Sequence, residues 1–360
     1  MGARRVLVTG VASYWGGRLA QRLEAFDDVD VIVGVDTADP RAELTRTEFV
    51  RVGSEHSLIQ RIVEAAEIDT VVDTRLIVDS LLAPRRHAHE VNVIGTVNII
   101  AACSGPASPV RRLVLKSSGH FYGCAQDDPA FFREDHVRSS PPANAIERDV
   151  VEAEATVAEF AEASPGVHVT VLRCSNVLGA SVDTSHVRLL SLPLVPMIAG
   201  FDPRYQFVHE DDVVEALVHV AQNDLPGSFN VAADGVLALS EVISLLGKHP
   251  APVLPPWLTG FAATPMRAAG LPISEEMLGQ LRLGRALDNR RLKATGFEYA
   301  HTTAETVRKL GERIHLGHLG ADGDAYRYER EVEDFLHRSP NVSRRPGGSD
   351  PGDDAQRKPL

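Results

Sequence analysis

Leu7-Val8-Thr9-Gly10-Val11-Ala12-Ser13-Tyr14-Trp15-Gly16-Gly17 decides the reading of this chain. It follows the apolar run Val6-Leu7-Val8 and precedes a helical pattern, with small residues Gly10, Ser13 and Gly16 spaced three apart. A glycine-rich turn between a strand and a helix turns backbone N–H groups and the positive helix end toward a phosphate pair. Gly10 supplies the tight turn and Gly16 lets helix and strand approach. Ser13 replaces a third glycine with a small side chain whose hydroxyl can itself bond a phosphate oxygen. Asp36, at the end of the next apolar run, stands where a carboxylate would accept hydrogen bonds from an adenosine ribose and repel a 2'-phosphate. The expected cofactor is therefore NAD, with NADP less favoured.

Outward from this turn, short β-branched runs alternate with helical stretches. Strands are expected at 5–8, 31–35, 48–52, 70–73, 113–116 and 168–172, and helices at 14–26, 57–66, 91–103 and 146–163. That alternation predicts an α/β fold, a doubly wound parallel Rossmann sheet with its ligand beyond the carboxyl ends of the strands. After residue 175 prolines break the pattern, and a smaller mixed α/β substrate domain is expected. The predicted layout is 1–175 for dinucleotide binding with 207–222 returning to it, 176–206 and 223–337 for the substrate, and a disordered tail at 338–360. Trp257, Leu258 and Phe261, beside several prolines, read as core packing.

The 360 residues carry a formal charge of -12, so no basic face points to nucleic acid or anionic lipid. Three scattered cysteines cannot close a disulfide framework, and no segment is apolar enough for a membrane span. With no signal-peptide pattern at the N-terminus, a cytoplasmic protein with a small-molecule substrate is expected.

Five ordered motifs then carry a resemblance. Thr9 to Gly16 resembles the Thr-Gly-x-x-Gly-x-x-Gly opening of the extended short-chain dehydrogenases, the NAD-dependent epimerase/dehydratase family. Asn92-Val93-Ile94-Gly95-Thr96 resembles its Asn-x-x-Gly-Thr helix start, and Ser117-Ser118-Gly119-His120-Phe121-Tyr122-Gly123 its Ser-Ser-x-x-Val-Tyr-Gly signature. Leu172-Arg173-Cys174-Ser175-Asn176-Val177-Leu178-Gly179 and Phe207-Val208-His209-Glu210-Asp211-Asp212-Val213 complete the set.

The resemblance implies a hydride-transferring enzyme acting on nucleotide sugars or other hydroxylated metabolites. It implies cofactor contacts from Thr9, Gly10, Ser13, Tyr14, Trp15, Gly16, Asp36, Asp73, Thr74, Asn92 and Ser117, and substrate contacts from Tyr122, Asn176, Arg204 and Tyr205. It also implies a homodimer through a four-helix bundle. Ser118 matches the family's catalytic Ser/Thr. The family's Tyr-x-x-x-Lys pair, however, aligns with Asn144 and Arg148. An amide cannot act as a base, and arginine stays protonated, although its guanidinium could hold the cofactor ribose.

His120 is the candidate replacement, because an imidazole titrates near neutral pH. Glu147, Asp79 and His89 are further candidates. His209, Asp211 and Asp212 read as a structural join, and no metal site is expected. Asp73-Thr74-Arg75-Leu76 stands where the family carries His-x-Ala-Ala, so Asp73 and Arg75 either pair or reshape the cofactor site. Tyr205-Gln206-Phe207 replaces the family's Arg-Asp-Phe. The alternative is a non-catalytic dinucleotide-binding sensor or scaffold that kept the cradle and lost the base.

Overall fold

Val6, Leu7 and Val8 are all buried, which only a strand covered on both faces allows. In the computed structural model, which describes residues 4–53, 55–105, 108–254 and 272–319, they lie in β1 (Arg4–Thr9). This strand is flanked by β2 (Val29–Asp36), then β3 (Glu48–Arg51), on one side and by β4 (Thr70–Asp73), β5 (Arg112–Ser118) and β6 (His168–Cys174) on the other. Every pairing in this sheet is parallel. The strand order reverses at β1, so the crevice between the carboxyl ends of β1 and β4 is where such a sheet takes its ligand.

The alternation of side chains along each strand divides the core in two. Val6, Val8, Val114 and Leu172 face α1 (Tyr14–Leu23) and a helix at Glu210–Gln222, burying Leu19, Leu23, Val213 and Leu217. Leu7, Val71, Leu113 and Leu115 face the opposite way, against Ile59 of α2 (His56–Ala65), Ile99 and Val157. Ile99 belongs to a helix that starts as α3 (Arg85–His89), passes through one π-helical turn at Glu90–Ile94 and continues as α4 (Gly95–Cys103). Val157 lies on α5 (Ala145–Ala163).

A seventh strand, Gly227–Val231, pairs parallel with β6. The sequence reading gave these residues to the substrate domain. The phenylalanine and valine of this run, Phe229 and Val231, bury themselves on the α1 side of the core, which fixes them to the sheet. Residues up to Gly311 form one compact unit, so the later segments are built onto the sheet rather than set apart from it. Trp257, Leu258, Phe261 and the 338–360 tail lie outside the described residues. No described helix is long and apolar enough to cross a membrane.

Candidate active site

The turn after β1 is held from within. Gly10 has φ +83, a conformation that side chains rarely adopt, and its N–H donates to Val35 O. A Cβ on Gly16 would lie 2.3 Å from Gly10 O, so only glycine permits this helix–strand approach. Ser13 caps α1: its Oγ donates to Gly10 O at 2.7 Å and accepts from Gly16 N at 3.3 Å. The serine thus replaces a missing glycine with a cap. Asp36 accepts from Ala12 N at 2.9 Å and Thr37 N at 2.7 Å. The Thr37 hydroxyl also donates to Oδ1, at 3.3 Å, so Oδ2 is the oxygen that keeps a lone pair for a ribose.

Two cavities open off this turn. The smaller, about 290 Å³, is lined by Gly10, Ser13, Asp36, Thr37 and Arg75, as a ribose-bearing ligand over β1 and β2 requires. The larger, about 560 Å³, shares Ser13 and Arg75 and runs past Tyr14, Trp15 and Thr74 to Lys116, Ser118, His120, Asn176 and His186. Together they make one cleft along the strand ends.

Asp73 and Arg75, substituted relative to the family pattern, pair with each other. Arg75 donates Nε to Asp73 Oδ1 at 2.9 Å and Nη2 to Oδ2 at 2.8 Å, and Nη2 also reaches Gly95 O. Asp73 also accepts from the Thr9 hydroxyl at 2.7 Å. Burial would push the Asp73 carboxyl up, but the Arg75 guanidinium and these hydrogen bonds hold it below its ordinary value. Arg75 therefore stands on the wall shared by the two cavities with its guanidinium held in place by Asp73. Thr74 donates to Thr9 O at 2.8 Å and packs against Gly10 and Gly16.

Several residues assigned to cofactor or substrate from the sequence are instead committed to the protein. Asn92, in the π-helical turn, accepts from Ile77 N and donates to Ile77 O, both at 2.7 Å. Its amide fixes Ile77, which lines both cavities. Ser117 faces the other side of β5 and donates to Glu154, which pairs with Arg173. Tyr122 donates to Asn230 Oδ1 at 2.7 Å and stacks on Phe132. Tyr205 is buried against His186 and Phe207, and its hydroxyl has no hydrogen-bond partner among the described residues. Arg204 is exposed and lines a separate cavity of about 360 Å³ with Arg282 and Arg285.

Asn144 and Arg148 do not meet the cleft. Asn144 is the N-cap of α5: Oδ1 accepts from Glu147 N at 2.9 Å, while Nδ2 donates to Glu147 Oε1 at 3.0 Å. Arg148 is exposed and lines none of these cavities. Both roles proposed for Arg148, catalytic and ribose-holding, therefore lack a place in the geometry. Glu147 is held by Arg138 and Ala143 N, His89 by Asp149, and Asp79 accepts from Ser185 N. Asp212 accepts from Ala300 N and His301 N, a structural use.

Ser118 and His120 do line the larger cavity. The buried guanidinium of Arg285 lies 3.4 Å from His120 Nδ1. Because guanidinium only donates, His120 accepts through Nδ1 and carries its proton on Nε2. Burial first, then Arg285 and His186, hold the imidazolium form of His120 well below its ordinary pKa. Burial likewise pushes His186 down to about 4. The cavity thus offers two neutral imidazoles.

Lys116, His186 and Arg285 were not singled out from the sequence. Lys116 had a legible signal, because it is one of only five lysines in the chain and falls inside a predicted strand. His186 and Arg285 reach the cavity only through tertiary packing of distant segments.

A doubly wound sheet with a glycine-built phosphate cradle, an acidic ribose site and an adjoining cavity at the strand ends defines a dinucleotide-binding protein of the Rossmann class. Residues 6–232 match the family model described as "NAD dependent epimerase/dehydratase family". The chain belongs to that family. An uncharacterized protein of Mycobacterium tuberculosis is 34% identical over 311 residues, covering 83% of this chain and 81% of that protein. Among solved structures, a dTDP-glucose 4,6-dehydratase from Bacillus anthracis in complex with NAD superimposes with TM-score 0.65 at 17% identity, over 87% of this chain and 97% of that one. A UDP-glucose 4-epimerase from Thermotoga maritima with UDP-glucose gives TM-score 0.65 at 17% identity, over 87% and 99%. At these identities the two structures support the fold.

Proposed function

We propose that the protein binds NAD and acts as an oxidoreductase or epimerase on a nucleotide sugar or another hydroxylated metabolite, with the family's tyrosine–lysine pair absent from the cleft. The observation that carries this reading is the 560 Å³ cavity that opens from the cofactor cradle onto Ser118 and His120. Bound NAD would supply the oxidant for a substrate carbinol. The residues fit it: Gly10, Ser13 and Gly16 would form its cradle, Arg75 would lie near its phosphates, and Asp36 would take its ribose. Ser118 and the Nε2–H of neutral His120 would hydrogen-bond the substrate oxygen and orient it. Arg204, Arg282 and Arg285, lining the neighbouring 360 Å³ cavity, would attract an anionic substrate portion such as a diphosphate.

The second reading, a non-catalytic dinucleotide-binding sensor, is favoured by Asn144 and Arg148 lying outside the cleft. Calorimetry with NAD and NADP tests both, since both require binding. Absorbance at the reduced-nicotinamide band across nucleotide sugars and simple alcohols separates them: turnover that falls at least tenfold in His120→Ala supports the enzyme, and no turnover across the panel favours the sensor.

The proposal includes a homodimer through α4 and α5, since Ile94, in the π-helical turn that leads into α4, and Val97 of α4 are exposed apolar residues. It also includes a reducing cytoplasmic setting, in keeping with free Cys103, Cys124 and Cys174.

A further inference from the structure

Lys116 is anomalous by physical standards. It sits on β5 two residues before Ser118, its side chain is on the α1 side of the sheet, and it is only 3% exposed. Lysines are almost never fully buried unless a carboxylate or carbonyl takes their charge. Lys248 donates to Leu190 O and Leu192 O, and Lys293 pairs with Asp234. Lys116 instead places Nζ 4.4 Å from the centroid of the Trp15 ring, with the buried Cys174 thiol nearby. Nor is it walled off, for it lines the 560 Å³ cavity together with Trp15, Ser118, His120 and Cys174.

Burial disfavours the ammonium and lowers the Lys116 pKa, with only the thiol opposing it. A neutral amine has a free lone pair, and a desolvated lysine facing a cavity is a nucleophile toward carbonyl carbon. In a chain that writes nearly all its cations as arginine, which cannot play this part, a lysine stands at this one strand position.

We infer that Lys116 forms a nucleophilic amine site in the cleft that condenses with an aldehyde or ketone. The Nζ lone pair forms the C–N bond while the carbonyl π pair moves to oxygen. Loss of water, which takes the carbonyl oxygen and both amine hydrogens, leaves an imine. The condensation is redox-neutral and needs no co-reactant. This site stands apart from the cofactor reading, since the amine is present whether or not NAD binds.

The test is reductive trapping of the full-length protein with benzaldehyde and sodium cyanoborohydride at pH 7, followed by peptide mass spectrometry. At this pH an ordinary exposed lysine, with pKa about 10.4, is neutral in well under about 0.1% of molecules. Lys116 is expected to be benzylated at least tenfold faster than Lys293 and Lys309, which serve as internal references. Lys116→Met, shown folded by circular dichroism, should lose the fast label and leave the slow ones unchanged. Labelling of Lys293 and Lys309 at equal or greater rates than Lys116 overturns the inference. So does an unchanged fast label in Lys116→Met. Failure of NAD to bind in calorimetry would remove the proposed function and leave this result standing.

Discussion

Replacing Arg75 with alanine should convert Asp73 from a stabilising carboxylate into a pH-dependent liability. In the native protein Asp73 is 2% exposed and accepts four hydrogen bonds, from Thr9 Oγ1, Arg75 N, Arg75 Nε and Arg75 Nη2. Its folded pKa lies below the ordinary carboxylate value, so its contribution is present at neutral pH and is lost as pH falls through that depressed value.

Alanine removes both guanidinium bonds and the neighbouring positive charge, leaving burial as the dominant influence. Breaking a buried pair by deleting one partner costs about 3–5 kcal/mol. Arg75 is partly exposed, at 17%, which argues for the lower end of that range. The carboxyl would then rise above its unfolded pKa, and the sign reverses: stability is greatest at acid pH and declines as pH rises. While the folded state holds the proton and the unfolded state does not, the slope approaches about 1.4 kcal/mol per pH unit.

Urea unfolding of wild type and Arg75→Ala at pH 5.0 and 7.5 measures this directly. The deficit of the variant should be larger at pH 7.5 by at least about 1 kcal/mol. The slope should disappear when Asp73→Asn is added. An equal deficit at both pH values would refute the argument that Arg75 sustains the buried charge.

Other outcomes follow from the same geometry. Asn144→Ala should cost about 0.5–2 kcal/mol in urea unfolding, the price of a helix cap, and leave the NAD dissociation constant within twofold. A large loss of NAD affinity would return Asn144 to the cleft. Arg148→Ala should change neither quantity, because the side chain is exposed and away from every described cavity. Gly16→Ala should destabilise by about 1–3 kcal/mol or more, since its Cβ meets backbone at 2.3 Å, and an unchanged melting temperature would contradict that contact. Asp36→Ala should narrow the preference for NAD over NADP at least tenfold, about 1.4 kcal/mol, as read by calorimetry. An unaltered ratio would deny Asp36 its ribose role.

The inner strands were legible because they are short runs rich in β-branched residues and buried on both faces, and the cradle because a glycine-built turn needs few residues and little tertiary context. Ser118 was legible through the motif that resembles the family signature, and His120 through its imidazole two residues further on; both line the larger cavity. Asn92 shows where such reading stops. Its position in the motif was correct, yet whether its amide meets a ligand or the Ile77 peptide depends on a segment 15 residues away. Gly227–Val231 failed for a related reason: strand order is a tertiary property, and punctuation by prolines says nothing about which sheet a later strand joins. Arg148 illustrates a third limit, because an alignment fixes a position on a helix but not which face of that helix the fold turns toward the cleft.

Glu210 has the widest mechanical reach. It occupies the first position of its helix, where its carboxylate accepts from Ala180 N, Ser181 N and Val182 N. Two of those residues, Ser181 and Val182, form part of the wall of the larger cavity. The same helix lies beside α1, joined to it by Arg22 and Glu215, and α1 carries the cradle. The cradle and the Ser181–Val182 stretch of the wall are therefore moored to one pair of helices on one side of the sheet. Leu19 and Leu217 are buried in one cluster between those helices, so a substitution at either is expected to shift the cradle relative to that stretch of wall.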